Sequence, residues 1–191
     1  MKKATQKRTT NTDLVKSTTT TRKPRKDIQM PITLKNQNEG FLLRVAGVLI
    51  KENKILLHKT KKGNAWVLPG GRGEINEETG KTAIREFTEE LGLNVKVARL
   101  LWIIEHFNAY GEKNLHEHGI YYLVESNEAE ITIPSEEFIG LEEEIGIVYK
   151  WIELQELHNL NIYPRALKQL LPKISEDHEI KHIINTEQLS E

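Results

Sequence analysis

The chain has 191 residues, of which 38% are hydrophobic and 29% are charged, a composition typical of one soluble globular domain with some additional polar chain. It contains no cysteine, which excludes disulfides, thiolate nucleophiles and cysteine-based zinc sites. No apolar run approaches the length that spans a bilayer, and no signal-peptide core is visible. We therefore expect a cytoplasmic protein.

The first 30 residues differ in composition from the rest of the chain. Residues 1–26 contain nine lysines and arginines and one aspartate, a charge of +8, so the remainder carries −9 and the net charge is −1. Threonine, lysine and arginine leave almost nothing apolar to bury, which predicts a disordered tail over residues 1–30. Such a tail either attracts RNA or another polyanion or only solubilises the protein, and the sequence leaves both open.

Residues 38–187 show the pattern of one folded domain. "FLLRVAGVLI" and "KILLHKT" are apolar runs separated by a short polar turn, which predicts a β-hairpin. "AWVLPGG" indicates a short strand stopped by Pro69 and the glycines. "TGKTAIREFTEELG" predicts a helix, because its apolar residues recur at helical spacing and Gly92 is a natural C-terminal stop.

Three further strands and a second helix are expected downstream. "NVKVARLLWIIEHFNAY" and "HGIYYLVES" are typical of strands paired through the polar loop "GEKNLHE", and "GIVYKWIEL" of another strand. "YPRALKQLLPKI" predicts a short amphipathic helix with Pro164 near its first turn. At most one of Trp66, Trp102 and Trp151 is expected to stack on a base. These elements predict a mixed α/β or α+β sandwich.

The long helix carries a dense acidic cluster. Positions i, i+3 and i+4 share a helical face, so Glu86, Glu89 and Glu90 should converge. Like charges at this spacing repel by about 0.2–0.5 kcal/mol per pair, whereas carboxylate oxygens are ligands that Mg²⁺ and Mn²⁺ prefer. A bound divalent cation would turn this repulsion into attraction. Glu77 lies outside the cluster and is expected to pair with Arg85.

The stretch "GGRGEINEETGKTAIREFTEELGL" resembles the signature of the Nudix hydrolase family. That signature runs glycine, five residues, glutamate, seven residues, then Arg-Glu-aliphatic-any-Glu-Glu-any-Gly-aliphatic. The matching residues are Gly71, Glu77, Arg85, Glu86, Phe87, Glu89, Glu90, Gly92 and Leu93. Phe87 departs from the aliphatic preference but is still apolar. The stretches "WVLPGG", "LLWIIEHF" and "HEHGIYYLVE" are similar to a bacterial subgroup whose substrates are mostly unassigned.

The resemblance implies a Nudix-type α/β/α sandwich with a mixed β-sheet. It implies hydrolysis of a nucleoside diphosphate linked to another moiety. Carried over by position, Glu86, Glu89 and Glu90 would bind Mg²⁺ or Mn²⁺, with the Gly70 carbonyl as a further ligand. Arg85 and Glu77 would hold the loop against the helix.

One carboxylate must accept the proton of the attacking water. Glu89 is the first candidate for this general base. In some relatives the role falls to a glutamate of a later loop, and "SEEFIGLEEEIGIVYKW" offers five: Glu136, Glu137, Glu142, Glu143 and Glu144. Among these, Glu144 and Glu143 are favoured, since they lie just upstream of a strand.

Two features outside the signature are weaker candidates. His116 and His118 alternate in "HEH", so in a strand both rings would face one way. A metal or phosphate role is weaker there, because no third ligand is expected within reach. Arg44 either contacts phosphate or pairs with an acidic neighbour.

The substrate and partners stay open at this level. The options are a modified nucleoside triphosphate, a sugar nucleotide such as ADP-ribose, a dinucleoside polyphosphate, or a 5′-triphosphorylated RNA end reached through the basic tail. A Nudix module that senses a nucleotide without hydrolysing it is the rival from another class. Many relatives form dimers, so a homodimer is also open, whereas no membrane partner is expected.

Overall fold

The computed structural model describes residues 30–110, 113–126, 131, 133–141 and 146–185. The basic tail predicted over residues 1–30 lies outside them, apart from Met30. Glu142, Glu143 and Glu144 also lie outside them, so the predictions made for these segments stay predictions. Within the described part of the chain, no helix has the length and apolar character needed to cross a membrane.

The described residues form nine strands and two α-helices. The strands are β1 (Thr33–Lys35), β2 (Glu39–Lys51), β3 (Lys54–Thr60), β4 (Gly70–Arg72), β5 (Val95–Tyr110), β6 (Lys113–Ser126), β7 (Phe138–Ile139), β8 (Ile147–Glu153) and β9 (Lys181–Asn185). The helices are α1 (Thr79–Leu91) and α2 (Leu167–Leu170), and α2 continues as a 3-10 turn over Leu171–Lys173. Another 3-10 helix covers Leu154–Asn159.

Strand β2 is the centre of the sheet. It pairs in parallel with β6 and antiparallel with β1, β3 and β4. The strand order is β7-β8-β3-β2-β6-β5-β9, and β9 lies parallel to β5. Parallel and antiparallel pairs therefore occur together, as expected for a mixed sheet.

The predicted β2–β3 hairpin and the predicted helix are both confirmed. Glu52 and Asn53 form the hairpin turn with positive φ values of 51° and 62°, as a two-residue type I′ turn requires. Helix α1 ends at Leu91, and Gly92 follows with φ of 67°. The strand expected in "AWVLPGG" is displaced: Trp66 and Val67 make isolated bridges, and β4 begins after Pro69, which has no N–H to donate.

The β5–β6 hairpin is longer than predicted. The loop expected over residues 111–117 is wrong for 113–117, which belong to β6. Polar side chains indicated a loop there, but the backbone of this segment has partners on both sides. Glu39–Leu42 of β2 flank it on one side, and β5 flanks it on the other.

Alternate side chains of the central strands build two cores. Ala46 and Val48 of β2 belong to the core on the α2 side, whereas Leu49 packs with Phe87 of α1 on the other side. A helix therefore covers each face of the sheet, which confirms the α/β/α sandwich. All three tryptophans are buried in these cores.

Two buried histidines make the stability depend on pH. Burial, aided by the charge of Arg44, lowers the pKa of His58 to about 3, and burial lowers the pKa of His106 to about 4. In the unfolded chain both should titrate near their ordinary pKa of about 6.5. Their contribution to the free energy of unfolding is therefore complete above about pH 6.5. It is lost as the pH falls towards the two lowered pKa values.

We expect the free energy of unfolding, measured by urea denaturation, to fall between about pH 7 and about pH 5. The slope should reach up to about 1.4 kcal/mol per pH unit for each histidine. A His58→Leu variant should show a shallower slope, because it removes one of the two groups. The exposed His178 supplies the control His178→Leu, which should keep the slope of the wild type. Equal slopes in all three proteins would contradict the assignment.

Candidate active site

Strand β4 places the glycine-rich segment beside the acidic face of α1. Gly70 to Arg72 pair with Ala46 to Arg44 of β2, and α1 is anchored on the sheet by the fully buried Phe87. A Cβ atom on Gly71 would lie 2.3 Å from Oε1 of Glu86. Only glycine therefore lets this carboxylate approach the backbone of β4.

The guanidinium of Arg85 joins this segment to the helix. Its Nε and Nη2 donate to the two carboxylate oxygens of Glu77, at 2.9 and 3.0 Å. Its Nη1 donates to Glu86 at 2.8 Å and to Glu89 at 3.0 Å. Nη2 also donates to the carbonyl of Arg72 at 3.1 Å. The predicted Glu77–Arg85 pair is confirmed, and this one cation also forms ion pairs with Glu86, Glu89 and, at 3.8 Å, Glu74.

These contacts shift the pKa values of the cluster in opposite directions. The hydrogen bonds from Arg85 hold the pKa of the Glu77 carboxyl below its ordinary value, and Glu77 in turn raises the pKa of Arg85. Burial raises the pKa of the Glu86 carboxyl, although the charge of Arg85 opposes the shift. Arg85 alone therefore does not compensate for the burial of Glu86.

The three glutamates that the sequence predicts as metal ligands differ in exposure. Glu90 is buried, at 7% exposure, and the side chains of Glu86 and Glu89 are 12% and 37% exposed. Glu89 is thus the carboxylate most open to solvent. The chemistry of the set fits a hard divalent cation, because all three side chains are carboxylates and Gly71 lets one of them, Glu86, approach the backbone of β4. Nudix hydrolases generally use divalent metal ions.

Described residues of the later acidic segment make polar contacts outside it. The Leu141 N–H donates to the Glu90 carbonyl of α1 at 2.7 Å. Glu137 forms an ion pair with Lys59 at 2.8 Å. Glu144 lies outside the described residues, and its proposed role as a base stays a prediction.

Arg44 lies in the sheet near partly buried acidic groups. Its Nη2 donates to the Leu68 carbonyl at 3.0 Å. Burial raises the pKa of Glu117, and the charge of Arg44 opposes that shift, as it does for Glu86. Arg44 therefore has acidic neighbours, as one of the two sequence-based alternatives expected.

The structure corrects the expectation for His116 and His118. Glu105 brings a carboxylate oxygen to the two rings, and one ligand atom from each of the three residues lies within 4.8 Å of the others. The expectation that no third ligand is in reach is therefore wrong. Assigning residues 111–117 to a loop concealed the register in which Glu105 pairs with His118.

Comparisons with known proteins identify the family. The family model described as the NUDIX domain matches residues 41–174. YjhB of Bacillus subtilis, whose name proposes an ADP-ribose pyrophosphatase, is 30% identical over 100 residues, which cover 50% of this chain and 48% of that protein. The 8-oxo-dGTP diphosphatase of Buchnera aphidicola is 31% identical over 121 residues, covering 61% and 81% of the two chains.

A solved structure shares the fold. The crystal structure of a MutT protein from Bacillus halodurans has a TM-score of 0.55 and 17% identity, covering 78% of this chain and 91% of that one. With more than half of the chain matched by the family model, the protein belongs to the Nudix hydrolase family. It spans about half the length of its Bacillus subtilis relative.

The bridge from Arg85 to Glu77 should stabilise the folded protein. Glu77→Gln removes a carboxylate that accepts two guanidinium hydrogen bonds, and we expect the free energy of unfolding to fall by about 1–3 kcal/mol. The matched control is Glu78→Gln, because Glu78 is exposed and pairs only with the exposed Lys81 among the described residues. That variant should stay within about 0.5 kcal/mol of the wild type. Urea denaturation measures both, and equal losses would contradict the bracing role.

Proposed function

We propose that this protein hydrolyses a pyrophosphate linkage in a nucleoside diphosphate linked to another moiety. In this proposal Glu86, Glu89 and Glu90 bind Mg²⁺ or Mn²⁺, with the Gly70 carbonyl as a further ligand. The observation that carries it is the acidic face of α1, which is braced by Arg85 and closed by a glycine-rich strand. Membership of the Nudix hydrolase family supports the same reaction class.

The residues of the site divide the work. A bound divalent cation supplies neutralisation of the pyrophosphate charge and acidification of water. Glu86 and Glu90, the more buried carboxylates, hold the cation in place. Glu89 is more exposed and accepts the proton of the attacking water. Arg85 orients Glu86 and Glu89 through its Nη1 hydrogen bonds and acts as a positioning residue.

Glu144 is the alternative general base. Leu141, three positions upstream in the sequence, donates its N–H to the Glu90 carbonyl, and this contact with α1 supports the alternative. As the base, Glu144 would accept the proton of the attacking water. In that case Glu89 would serve only as a metal ligand.

The proposed substrate class rests on a chemical group common to the compounds in the names of two relatives. ADP-ribose and 8-oxo-dGTP both contain a phosphoric anhydride attached to a nucleoside. A modified nucleoside triphosphate, a sugar nucleotide and a dinucleoside polyphosphate all present this group. A 5′-triphosphorylated RNA end also presents it, and the basic tail would attract such an RNA. A cytoplasmic location and a homodimer remain part of the proposal. A nucleotide-sensing module is the alternative, but the retained glutamates favour an enzyme.

A change of one carboxylate should separate an enzyme from a sensor. We expect Glu89→Gln to lower kcat by about 10²–10⁴-fold on the substrate that the wild type hydrolyses, because it removes a base or a metal ligand. Hydrolysis products from a panel of the nucleotides above, separated by anion-exchange chromatography, measure this with and without Mg²⁺. Glu78→Gln, at the exposed residue just before α1, should keep wild-type turnover.

The same panel defines the outcome against the proposal. Nucleotides that raise the melting temperature of the wild type without any metal-dependent hydrolysis would identify a sensing module. Repeating the panel without residues 1–30 tests the RNA end separately, since loss of activity only on 5′-triphosphorylated RNA would assign the tail to that substrate.

Metal binding should also be visible without substrate. Mg²⁺ at about 100 times its dissociation constant should raise the free energy of unfolding of the wild type by about 2.7 kcal/mol. Glu86→Gln should lose most of this gain, while Glu78→Gln should keep it. Denaturation with and without Mg²⁺ measures the difference. An equal gain in the wild type and in Glu86→Gln would place the cation elsewhere.

A further inference from the structure

A second group of metal-binding side chains lies on β5 and β6. In the antiparallel register Glu105 is opposite His118, and Phe107 is opposite His116. Alternate residues of a strand project from the same face, so Glu105, His116 and His118 share one face of the hairpin. One ligand atom from each lies within 4.8 Å of the other two. None of these residues belongs to the acidic cluster of α1.

We propose that Glu105, His116 and His118 bind a divalent transition-metal ion, with zinc as the first candidate, at a site separate from the active site. Two imidazoles and one carboxylate suit zinc and neighbouring metals better than Mg²⁺. The ligand atoms of a tetrahedral zinc are about 3.4 Å apart, given its bond lengths. Atoms already within 4.8 Å reach that spacing by small side-chain rotations.

Neighbouring residues hold the ligands in place. The His182 ring of β9 lies 2.8 Å from Oε1 of Glu105 through its Nε2 atom. The His116 ring stacks on Phe107, with centroids 4.2 Å apart and an interplanar angle of 20°. Phe41 meets the same ring edge-on at 5.2 Å. Contacts of this kind, made by residues around a metal site, hold the ligand side chains in the orientation that the metal needs. They also restrict the side-chain rotation that would otherwise be lost when the metal binds.

The site is accessible and lies away from α1. The side chains of Glu105 and His116 are 24% and 33% exposed, and His116 borders a cavity of about 470 Å³ between β1, β2 and β6. The hydroxyl of Tyr122 on β6 lies 2.6 Å from that of Thr79, the first residue of α1. Tyr122 therefore indicates the position along β6 at which the helix begins. His118 is four residues earlier, about 13 Å along the strand.

Ion pairs without a metal are the competing explanation, and they share His116 with the metal group but use His182 in place of His118. His116 and His182 lie 3.2 and 2.8 Å from the Glu105 carboxylate. His118 takes part in neither contact, yet it completes the three-ligand group. A metal site therefore depends on His118, whereas an ion-pair cluster depends on His182.

Zinc binding to the full, untagged chain tests the proposal. Equilibrium dialysis in excess Mg²⁺, which favours the carboxylates of α1, should give one bound zinc per chain. His118→Ala and Glu105→Gln should each weaken this binding at least 100-fold. His182→Ala should weaken it by about 10–100-fold, as expected for an outer contact. The exposed His178 supplies the control His178→Ala, which should bind zinc like the wild type.

A second readout keeps the test independent of folding defects. Cobalt bound to the wild type should give the visible absorption of a tetrahedral histidine-containing site, and His118→Ala should lose it while its circular dichroism stays that of a folded protein. Absence of zinc binding by the wild type, or equal binding by His118→Ala, would overturn the proposal. Neither outcome depends on nucleotide hydrolysis, so the two proposals fail or stand separately.

Discussion

The guanidinium of Arg85 is the charge on which the arrangement of loop and helix depends. Without it, Glu77, Glu86 and Glu89 would be like charges gathered in a partly buried space. Loss of an ion-pair partner there destabilises the folded protein several times more than it does at an exposed surface. Its five hydrogen bonds reach two side chains of α1, a side chain ahead of the helix and a carbonyl of β4. A planar fork of donors can do this, and an ammonium group cannot.

The two proposed metal sites lie on one face of the sheet but differ in chemistry. The acidic face of α1 offers only carboxylates, which favour hard ions that exchange readily. The cluster on β5 and β6 offers two imidazoles, which favour softer ions that remain bound. Because His182 belongs to β9, an ion at the second site would be linked through Glu105 to three strands. One site suits a reaction, and the other suits reinforcement of the sheet.

The sequence predicted what depends on short separations. Helix α1, the turn at Glu52 and Asn53, and the pair of Glu77 with Arg85 all follow from residues within a few positions of one another. Glu105 was missed because its partners are set by strand register, which polar residues near the hairpin turn obscured. β1 and β9 were missed because short strands at the edge of a sheet carry little hydrophobic periodicity of their own.

The parallel pairing of β2 with β6 has a consequence for the order of folding. Glu39 is paired with Asn114, so the centre of the sheet closes a loop of 75 positions that contains both α1 and β5. Contacts of such long range form slowly, whereas a helix forms in microseconds or less. The segment from Glu77 to Glu89, which Arg85 braces, can therefore form before the pairing of β2 with β6 completes the sheet on which α1 packs.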